Sequence, residues 1–308
     1  MAEFSIIERY FKTLTTNAID VGIGDDCATL SPPPHQQLVT CVDTLVAGRH
    51  FPLNTSAHAI GWKSVAVNLS DLAAMGATPH SILLALSLPQ IDESWLAEFS
   101  RGIADCCKKY NVQLIGGDTT QSPTLTISIT ALGWIEYGKS VLRSGAKVGD
   151  YIAVSGEIGS AAYALQYPQS ILQHALDYPE PQCELGQQLK GYASSMLDVS
   201  DGLAQDLNHI LTASQVGAVL YLDQIPVHPQ LQQLDFNEQM RYVLAGGDDY
   251  QLCFSISPEK LKQFEQDYAK KLHIIGQIQQ QYGCRYDHAG QPFYPQILGY
   301  QHFATRSD

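Results

Sequence analysis

The fold is decided by the stretch VQLIGGD, residues 112–118, and by what surrounds it. Val112–Ile115 is apolar and predicts a buried strand, which two glycines and Asp118 follow directly. In open α/β layers, ligands collect beyond the carboxyl ends of the strands. Glycine at such a turn lets backbone amides approach phosphate oxygens. The stretch therefore predicts an α/β layer with an anion or metal site at the end of this strand.

Strands and helices alternate on both sides of this stretch. Apolar, β-branched runs predict the strands, and helical patterns bounded by capping residues predict the helices. In the first half we predict strands at Gln37–Val46, Ile82–Leu88 and Leu125–Ile135, and helices from near Ser56 to Gly76 and from Asp92 to Tyr110. The alternation predicts an α+β or α/β fold.

A second domain is predicted after the polar turn at Glu136–Ser140. A chain of 308 residues exceeds the usual size of a single core, so we expect two domains, residues 1–137 and 138–308. In the second domain we predict strands at Tyr151–Ser155, Ser195–Val199, Gln251–Ile256 and His273–Ile278, and helices at Gly159–Tyr167, Gly202–Ala213 and Pro258–Lys270.

The composition excludes several classes of partner. Acidic residues number 31 and basic residues 18, which gives a formal net charge of −13. A chain this acidic, without a Lys/Arg cluster, is a poor binder of nucleic acid or anionic membranes. Its longest apolar run, Ile82–Leu88, is too short to span a bilayer, and no signal peptide is expected. Seven scattered cysteines indicate reduced thiols in a cytoplasmic chain.

Acidic residues recur beside glycines or at predicted strand and helix ends. The six places are Gly24–Asp26, Val42–Thr44, Asn68–Asp71, Gly116–Asp118, Asp198–Asp201 and Gly246–Asp249. Magnesium takes oxygen ligands and is usually held by one or two carboxylates together with substrate phosphates. Each Asp taken singly is equally well explained as an N-cap or a turn residue. Taken together, the six indicate a site with more than one cation, because clustered carboxylates repel one another without cations.

A nucleotide site is therefore plausible, although the known nucleotide-binding loops are missing. The sequence has no P-loop pattern and no protein-kinase motif set. Arg143 stands on a glycine-containing turn, where it would clamp a phosphate or form a surface ion pair. His50 follows the turn Ala47–Arg49 and is either a ligand contact or a surface residue. Tyr300 would form either a pocket wall or part of the core.

Read together, these motifs resemble the thiamine-monophosphate kinase family. The resemblance covers essentially the whole chain, in order, and rests on GIGDDCA (22–28), DTLVAG (43–48) with His50, AVNLSDLAAMGA (66–77), LIGGDT (114–119), RSGA (143–146), DVSDGL (198–203), GGDDY (246–250) and GYQHF (299–303).

The resemblance implies a fold like that of aminoimidazole ribonucleotide synthetase, in which the N-terminal domains of two subunits pair into a barrel. It implies a homodimer, ATP as donor, several Mg²⁺ ions, and direct phosphoryl transfer to thiamine monophosphate. It implies metal ligands at Asp26, Asp43, Asp71, Asp118, Asp198 and Asp201, nucleotide contacts at Gly117, Asp118, Arg143 and Ser200, and substrate contacts at His50, Asp248 and Tyr300. No further catalytic residue is expected, because the acceptor phosphate is already ionised.

The sequence departs from the family pattern at two places. The family commonly has Ser-Thr or Thr-Thr before the metal-binding Asp43, and this chain has Cys41-Val42. Hydroxyl ligands are lost there, so only backbone carbonyls would serve. The family commonly has Glu where this chain has Asp248, whose side chain is one bond shorter and reaches about 1.5 Å less far.

Three rival interpretations remain at this point. A selenophosphate synthetase or a hydrogenase-maturation enzyme would share the fold, but the reactive cysteines expected of each are absent at the corresponding ends. A two-metal phosphatase would lack nucleotide specificity. A divalent-cation binder would catalyse nothing. Dependence of ATP turnover on added thiamine monophosphate distinguishes all of these.

Overall fold

The computed structural model describes residues 3–14 and 20–295. The chain forms two compact units, one of residues 1–73 and 77–140, the other of residues 74–76 and the chain from residue 141 onward. None of the described helices is both long and apolar enough to cross a membrane.

The first unit is a four-stranded sheet with two long helices. Its elements are α1 (Glu3–Ile6), β1 (Gln36–Val46), α2 (Ala57–Ala74), β2 (Thr78–Leu88), α3 (Glu93–Tyr110), β3 (Gln113–Gln121) and β4 (Thr126–Glu136). The strand order is β1-β4-β2-β3. The pairs β1–β4 and β4–β2 are antiparallel, and β2–β3 is parallel. The four predicted strands and both predicted helices of this half are confirmed.

The ends of the two helices follow from local sequence. The hydroxyl of Ser56 accepts a hydrogen bond from the amide of Ala59, which caps α2. The carboxylate of Asp92 accepts from the amides of Ser94 and Trp95, which caps α3. Helix α3 ends at Asn111, whose left-handed conformation closes the last turn.

Strand β3 is longer than predicted, and this corrects the expected position of Asp118. Pairing with β2 continues from Gly116 to Gln121, so Asp118 lies within the strand and not after it. The register shifts between Ile82 and Leu83, and Ile115 is passed over in the pairing. This irregularity resets the alignment, so the ladder continues through the two glycines.

One face of the first sheet is packed against a helix, and the other is exposed to solvent along β1. Helix α2 lies over one face, where the side chain of Leu72 would be 3.2 Å from a Cβ at Gly133 of β4. Leu69, Leu72, Ile82 and Ile129 form part of a fully buried core there. On the other face, Leu38 is 47% exposed and Val42 is 61% exposed. A single chain thus leaves apolar side chains of β1 in contact with water.

The second unit is a seven-stranded sheet with six α-helices and two short 3-10 helices, Leu222–Gln224 and Leu231–Gln233, in the described residues. Its strands are β5 (Tyr151–Val154), β6 (Ala193–Val199), β7 (Gly217–Tyr221), β8 (Gln251–Ile256), β9 (His273–Gln279), β10 (Gly283–His288) and β11 (Gln291–Phe293). Its helices are α4 (Ser160–Gln166), α5 (Gln173–Asp177), α6 (Cys183–Leu189), α7 (Leu203–Ser214), α8 (Phe236–Ala245) and α9 (Pro258–Tyr268).

The strand order is β11-β10-β7-β9-β5-β8-β6, and only β10–β7 is parallel among the pairs described. The four strands and three helices predicted for this half are confirmed. Sequence patterns did not predict β7, α8 or the β10–β11 hairpin. The last of these is made of short, polar strands that lack the alternation typical of a half-buried strand.

Candidate functional site

In the first unit, the charges of Asp43 and Asp71 both act on the Cys41 thiol. The side chain of Asn68 on α2 accepts a hydrogen bond from the amide of Asp43 at 3.0 Å, which ties the helix to β1. Burial raises the pKa of Cys41, and the negative charges of Asp71 and Asp43 raise it further. The thiol therefore stays protonated, and the two carboxylates offer the hard oxygen atoms that magnesium prefers.

Gly117 and Asp118 lie on β3, at the far edge of the same sheet. Asp43 is level with Ile129 on β4, which is level with Leu84 on β2 and then with Gly117. Three strand spacings separate β1 from β3, on the order of 14 Å. A Cβ at Gly117 would lie 1.9 Å from the carbonyl oxygen of Leu84, so only glycine fits. Within one chain, Asp118 is thus too far from Asp43 to share one ion with it.

Asp26 and His50 lie in loops of the first unit. Asp26 is exposed in a loop between Val21 and Thr29, whose backbones form a bridge. The Nδ1 atom of His50 accepts a hydrogen bond from the amide of Val46 at 3.0 Å. The proton of a neutral His50 ring therefore lies on Nε2, which can donate to a phosphate oxygen.

In the second unit, Asp198, Ser200 and Asp201 form an acidic turn between β6 and α7. The Oδ2 atom of Asp206, in the first turn of α7, accepts from the amides of Ser200, Asp201 and Gly202 at 3.0, 3.0 and 3.1 Å. The pKa of Asp206 is raised to about 7, mainly by burial. The charges of Asp198 and Asp201 also raise this pKa, and the hydrogen bonds from the backbone amides oppose the rise. Asp206 was not predicted from the sequence.

Of the two glycines before Asp248, Gly247 packs directly against this acidic turn and Gly246 packs against α4 and α8. A Cβ at Gly247 would lie 2.2 Å from the carbonyl oxygen of Ser200, and one at Gly246 would lie 2.3 Å from the Cβ of Ala162. The amide of Asp248 donates to the carbonyl of Ser200 at 2.9 Å. Gly247 is required because its backbone touches that of Ser200, and Gly246 because Ala162 and the carbonyl of Tyr242 leave no room for a side chain. The contact at Gly247 brings Asp248 next to Ser200.

Arg143 lies on an exposed turn shaped by the last residue of α7. The hydroxyl of Ser214 accepts from the amides of Gly145 and Ala146, each at 3.1 Å. A Cβ at Gly145 would lie 2.3 Å from the carbonyl oxygen of Ser194. Ser194 precedes Asp198 by four residues, on the order of 13 Å along β6. At this distance, only an extended ligand would contact both Arg143 and the acidic turn, because a single ion is too small.

Magnesium fits these residues as pairs and not as one cluster. In the part of the chain that the structure describes, no group of three or more His, Cys, Asp or Glu side chains is arranged to hold a metal ion. Each unit nevertheless has two acids whose charges act on one side chain, Asp43 and Asp71 on Cys41, and Asp198 and Asp201 on Asp206. One or two carboxylates are what magnesium usually takes from a protein when phosphates supply the rest. Tyr300 lies outside the described residues.

Comparison with known proteins agrees with this architecture. The model of the AIR synthase related protein N-terminal domain matches residues 24–135, and that of the C-terminal domain matches residues 147–287. The chain is thus built from the two domains that define AIR synthase related proteins. The thiamine-monophosphate kinase of Escherichia coli strain K12 is 42% identical over 98% of both chains. The chain belongs to the thiamine-monophosphate kinase family.

Solved structures support the same assignment. The crystal structure of thiamine-monophosphate kinase from Stenotrophomonas maltophilia K279a is 40% identical, with a TM-score of 0.83 over 92% of this chain and 95% of that one. The structure of AaThiL complexed with AMPPCP and TMP is 28% identical, with a TM-score of 0.77 over 98% of this chain and 97% of that one.

Proposed function

We propose that this chain transfers the γ-phosphate of ATP to the phosphate of thiamine monophosphate, which yields thiamine diphosphate and ADP. The observation that carries the proposal is the match to a thiamine-monophosphate kinase over 98% of both chains. The geometry supports it, since each unit offers a pair of carboxylates and a close-packed glycine backbone. The relative AaThiL, complexed with AMPPCP and TMP, supports both reactants.

Specific roles follow for the residues described above. We assign magnesium ligands to Asp26, Asp43, Asp71, Asp118, Asp198 and Asp201. We assign nucleotide contacts to Gly117, Asp118, Arg143 and Ser200, and substrate contacts to His50, Asp248 and Tyr300. In this proposal residues 1–137 bind ATP and form the dimer, and residues 138–308 complete the nucleotide and substrate sites.

The reaction needs charge neutralisation and alignment more than proton transfer. An oxygen of the thiamine phosphate forms the new bond to the γ-phosphorus as the bond to the β,γ-bridging oxygen breaks, and ADP leaves with that electron pair. Magnesium supplies charge neutralisation when it is bound. Arg143 offers a planar guanidinium that donates to phosphate oxygens, and the Nε2–H of His50 offers a further donor. No general base is required, because the acceptor oxygen is already anionic.

A homodimer is part of the proposal. The face of the first sheet that carries Leu38 and Val42 remains exposed in one chain. A second copy would cover it and would also pair with the edge strands, which otherwise expose unpaired backbone groups. A cytoplasmic location is supported by the seven cysteines, which all lie within the described residues and form no disulfide there.

The decisive test measures ADP release by the purified chain with ATP and magnesium, with and without thiamine monophosphate. We expect release only when the acceptor is present, and thiamine diphosphate in equal amount. Asp71→Asn provides the inactive control. Release at the same rate without acceptor would indicate a phosphatase, and no release in either condition would indicate a cation-binding protein.

A further inference from the structure

Tyr250 holds the carboxylate of Asp248. Its hydroxyl donates to Oδ1 of Asp248 at 2.9 Å, and only 7% of the residue's surface is exposed. A buried tyrosine normally places its hydroxyl on a hydrogen-bond acceptor, and here that acceptor is a half-buried carboxylate. The bond restricts rotation of the Asp248 side chain and fixes the plane of its carboxylate.

The backbone around this pair is strained and tightly held. Asp248 has a φ of 69° and Tyr250 a φ of 50°, both in the left-handed region that residues other than glycine rarely adopt. The amides of Asp248 and Tyr250 donate to the carbonyls of Ser200 and Val199 at 2.9 and 2.8 Å. Strained residues of this kind persist where surrounding contacts hold them, and they concentrate at ligand sites.

The residue between them anchors the turn on its other side. The carboxylate of Asp249 is buried and accepts from the amide of Gly159 at 2.8 Å, at the beginning of α4. The five-residue segment Gly246–Tyr250 is therefore attached to the acidic turn and to α4. Its backbone can adjust little, and the Tyr250 hydroxyl is one contact that sets the direction of the Asp248 carboxylate.

We propose that Tyr250 is a positioning residue that orients Asp248 toward the cationic organic substrate. The proposal rests on the substrate contact assigned above to Asp248. A cation held by one carboxylate is bound best when that carboxylate is already oriented, because binding then costs less side-chain entropy. The phenol suits this task, since it donates a hydrogen bond and adds no charge of its own near the substrate.

The test is Tyr250→Phe, which removes the hydroxyl and keeps the buried ring. Kd for thiamine monophosphate is titrated in the presence of a non-hydrolysable ATP analogue, well below the melting temperature of every variant. We expect Kd to rise about tenfold, the scale of one lost charge-assisted hydrogen bond. The affinity for nucleotide and kcat at saturation should stay close to those of the wild type.

Tyr192→Phe is the matched control. The hydroxyl of Tyr192 donates to Oδ2 of Asp267 at 2.6 Å, so the control removes the same kind of bond near the beginning of β6. It should leave both affinities unchanged. Asp248→Ala supplies the second reference, and in that background adding Tyr250→Phe should raise Kd no further, because the acceptor of the bond is already gone.

The outcomes separate the inference from the assignment beneath it. If Asp248→Ala weakens substrate binding and Tyr250→Phe does not, Tyr250 is not a positioning residue and the inference is wrong. Additive effects in the double variant, or equal losses for substrate and nucleotide, also overturn it in favour of a purely structural role. If Asp248→Ala itself leaves Kd unchanged, the substrate contact of the proposed function fails, and the inference fails with it.

Discussion

At the scale of single residues, Asp71 carries the clearest prediction. It lies on α2 beside Asp43 and Cys41, where it supplies charge and contributes no apolar packing. We expect Asp71→Asn to lower turnover by a factor on the order of 10² to 10³, because the magnesium that neutralises the phosphates loses a carboxylate ligand. The melting temperature should change by no more than about 2 °C.

Turnover assays at saturating magnesium, paired with thermal melting, check this prediction. Asp105→Asn on α3 is the control, since the partner of Asp105 is His58 in an exposed pair of little energetic value. Near-normal turnover by Asp71→Asn would remove Asp71 from the metal site.

Asp248 is the residue where the chain departs from its family, and its replacement by Glu tests the consequence. Glu extends the carboxylate by one bond, about 1.5 Å. We expect Asp248→Glu to keep or improve the affinity for thiamine monophosphate, because the longer side chain restores the usual reach. Isothermal titration with each ligand measures this. A loss of nucleotide affinity with substrate affinity intact would mean that the two sites are exchanged.

Asp249 makes stability depend on pH. Its pKa is raised to about 8, mainly by burial. Hydrogen bonds from the amides of Gly159, Ala161 and Ser160 oppose this rise. The unfolded group has a pKa near 4. Between these values the folded chain keeps a proton that the unfolded chain releases, so this contribution to stability is full below about pH 4 and is lost as the pH rises toward 8.

Urea unfolding at pH 5 and pH 8 measures the effect. In Asp249→Asn the side chain no longer titrates, and its amide oxygen can still accept from Gly159. We expect the variant to lose less stability than the wild type between the two pH values. Equal losses in both proteins would show that Asp249 has an ordinary pKa in the folded chain.

At the scale of elements, the edge strand β3 depends on one glycine. A Cβ at Gly117 would overlap the carbonyl of Leu84, so Gly117→Ala must push β3 away from β2. We expect a loss of about 2 kcal/mol or more in the free energy of unfolding, together with weaker nucleotide binding. Gly116→Ala is the matched control, because its Cβ would meet only the end of the Leu83 side chain at 3.1 Å. Chemical denaturation of both variants checks the difference.

The same strand shows how far sequence patterns determine a fold. Apolar periodicity predicted every strand of the first sheet, because each has a face buried against helices. It did not predict that β3 continues past Gly116, since the continuation depends on tertiary pairing with β2 and on a bulge at Ile115. The patterns also did not predict β10, whose polar residues pair only because β7 lies beside it.

The site residues divide in the same way. The acids were recognisable because six carboxylates beside glycines or at strand and helix ends are hard to explain as caps and turns alone. Their supports were not recognisable. Asn68 and Asp206 hold acidic stretches, and Ser214 holds the Arg143 turn, through backbone amides that only the folded chain brings within reach. Residue identity thus predicted the ligands, and the fold was needed to find their supports.

At the scale of the whole molecule, the exposed face of the first sheet predicts assembly. Val42 is 61% exposed on that face, in the middle of the edge strand β1. We expect the wild type to sediment as a dimer at micromolar concentration, and Val42→Lys to sediment largely as a monomer, because a buried unpaired ammonium strongly disfavours an apolar interface. Ile171→Lys changes an exposed apolar residue of the second unit and should leave the dimer intact. A monomeric wild type would contradict the proposed pairing.

Helix α7 also sets a rule for how this chain can vary in length. Asp206 holds one functional turn near its beginning and Ser214 holds another at its end, eight residues and about 12 Å apart. One inserted residue would rotate the far end by about 100° and turn the Ser214 hydroxyl away from its amides. Insertions and deletions among natural or engineered relatives should therefore avoid the interval between these residues. The length of α7 therefore fixes the spacing between the acidic turn and the Arg143 turn, which a flexible loop would not do.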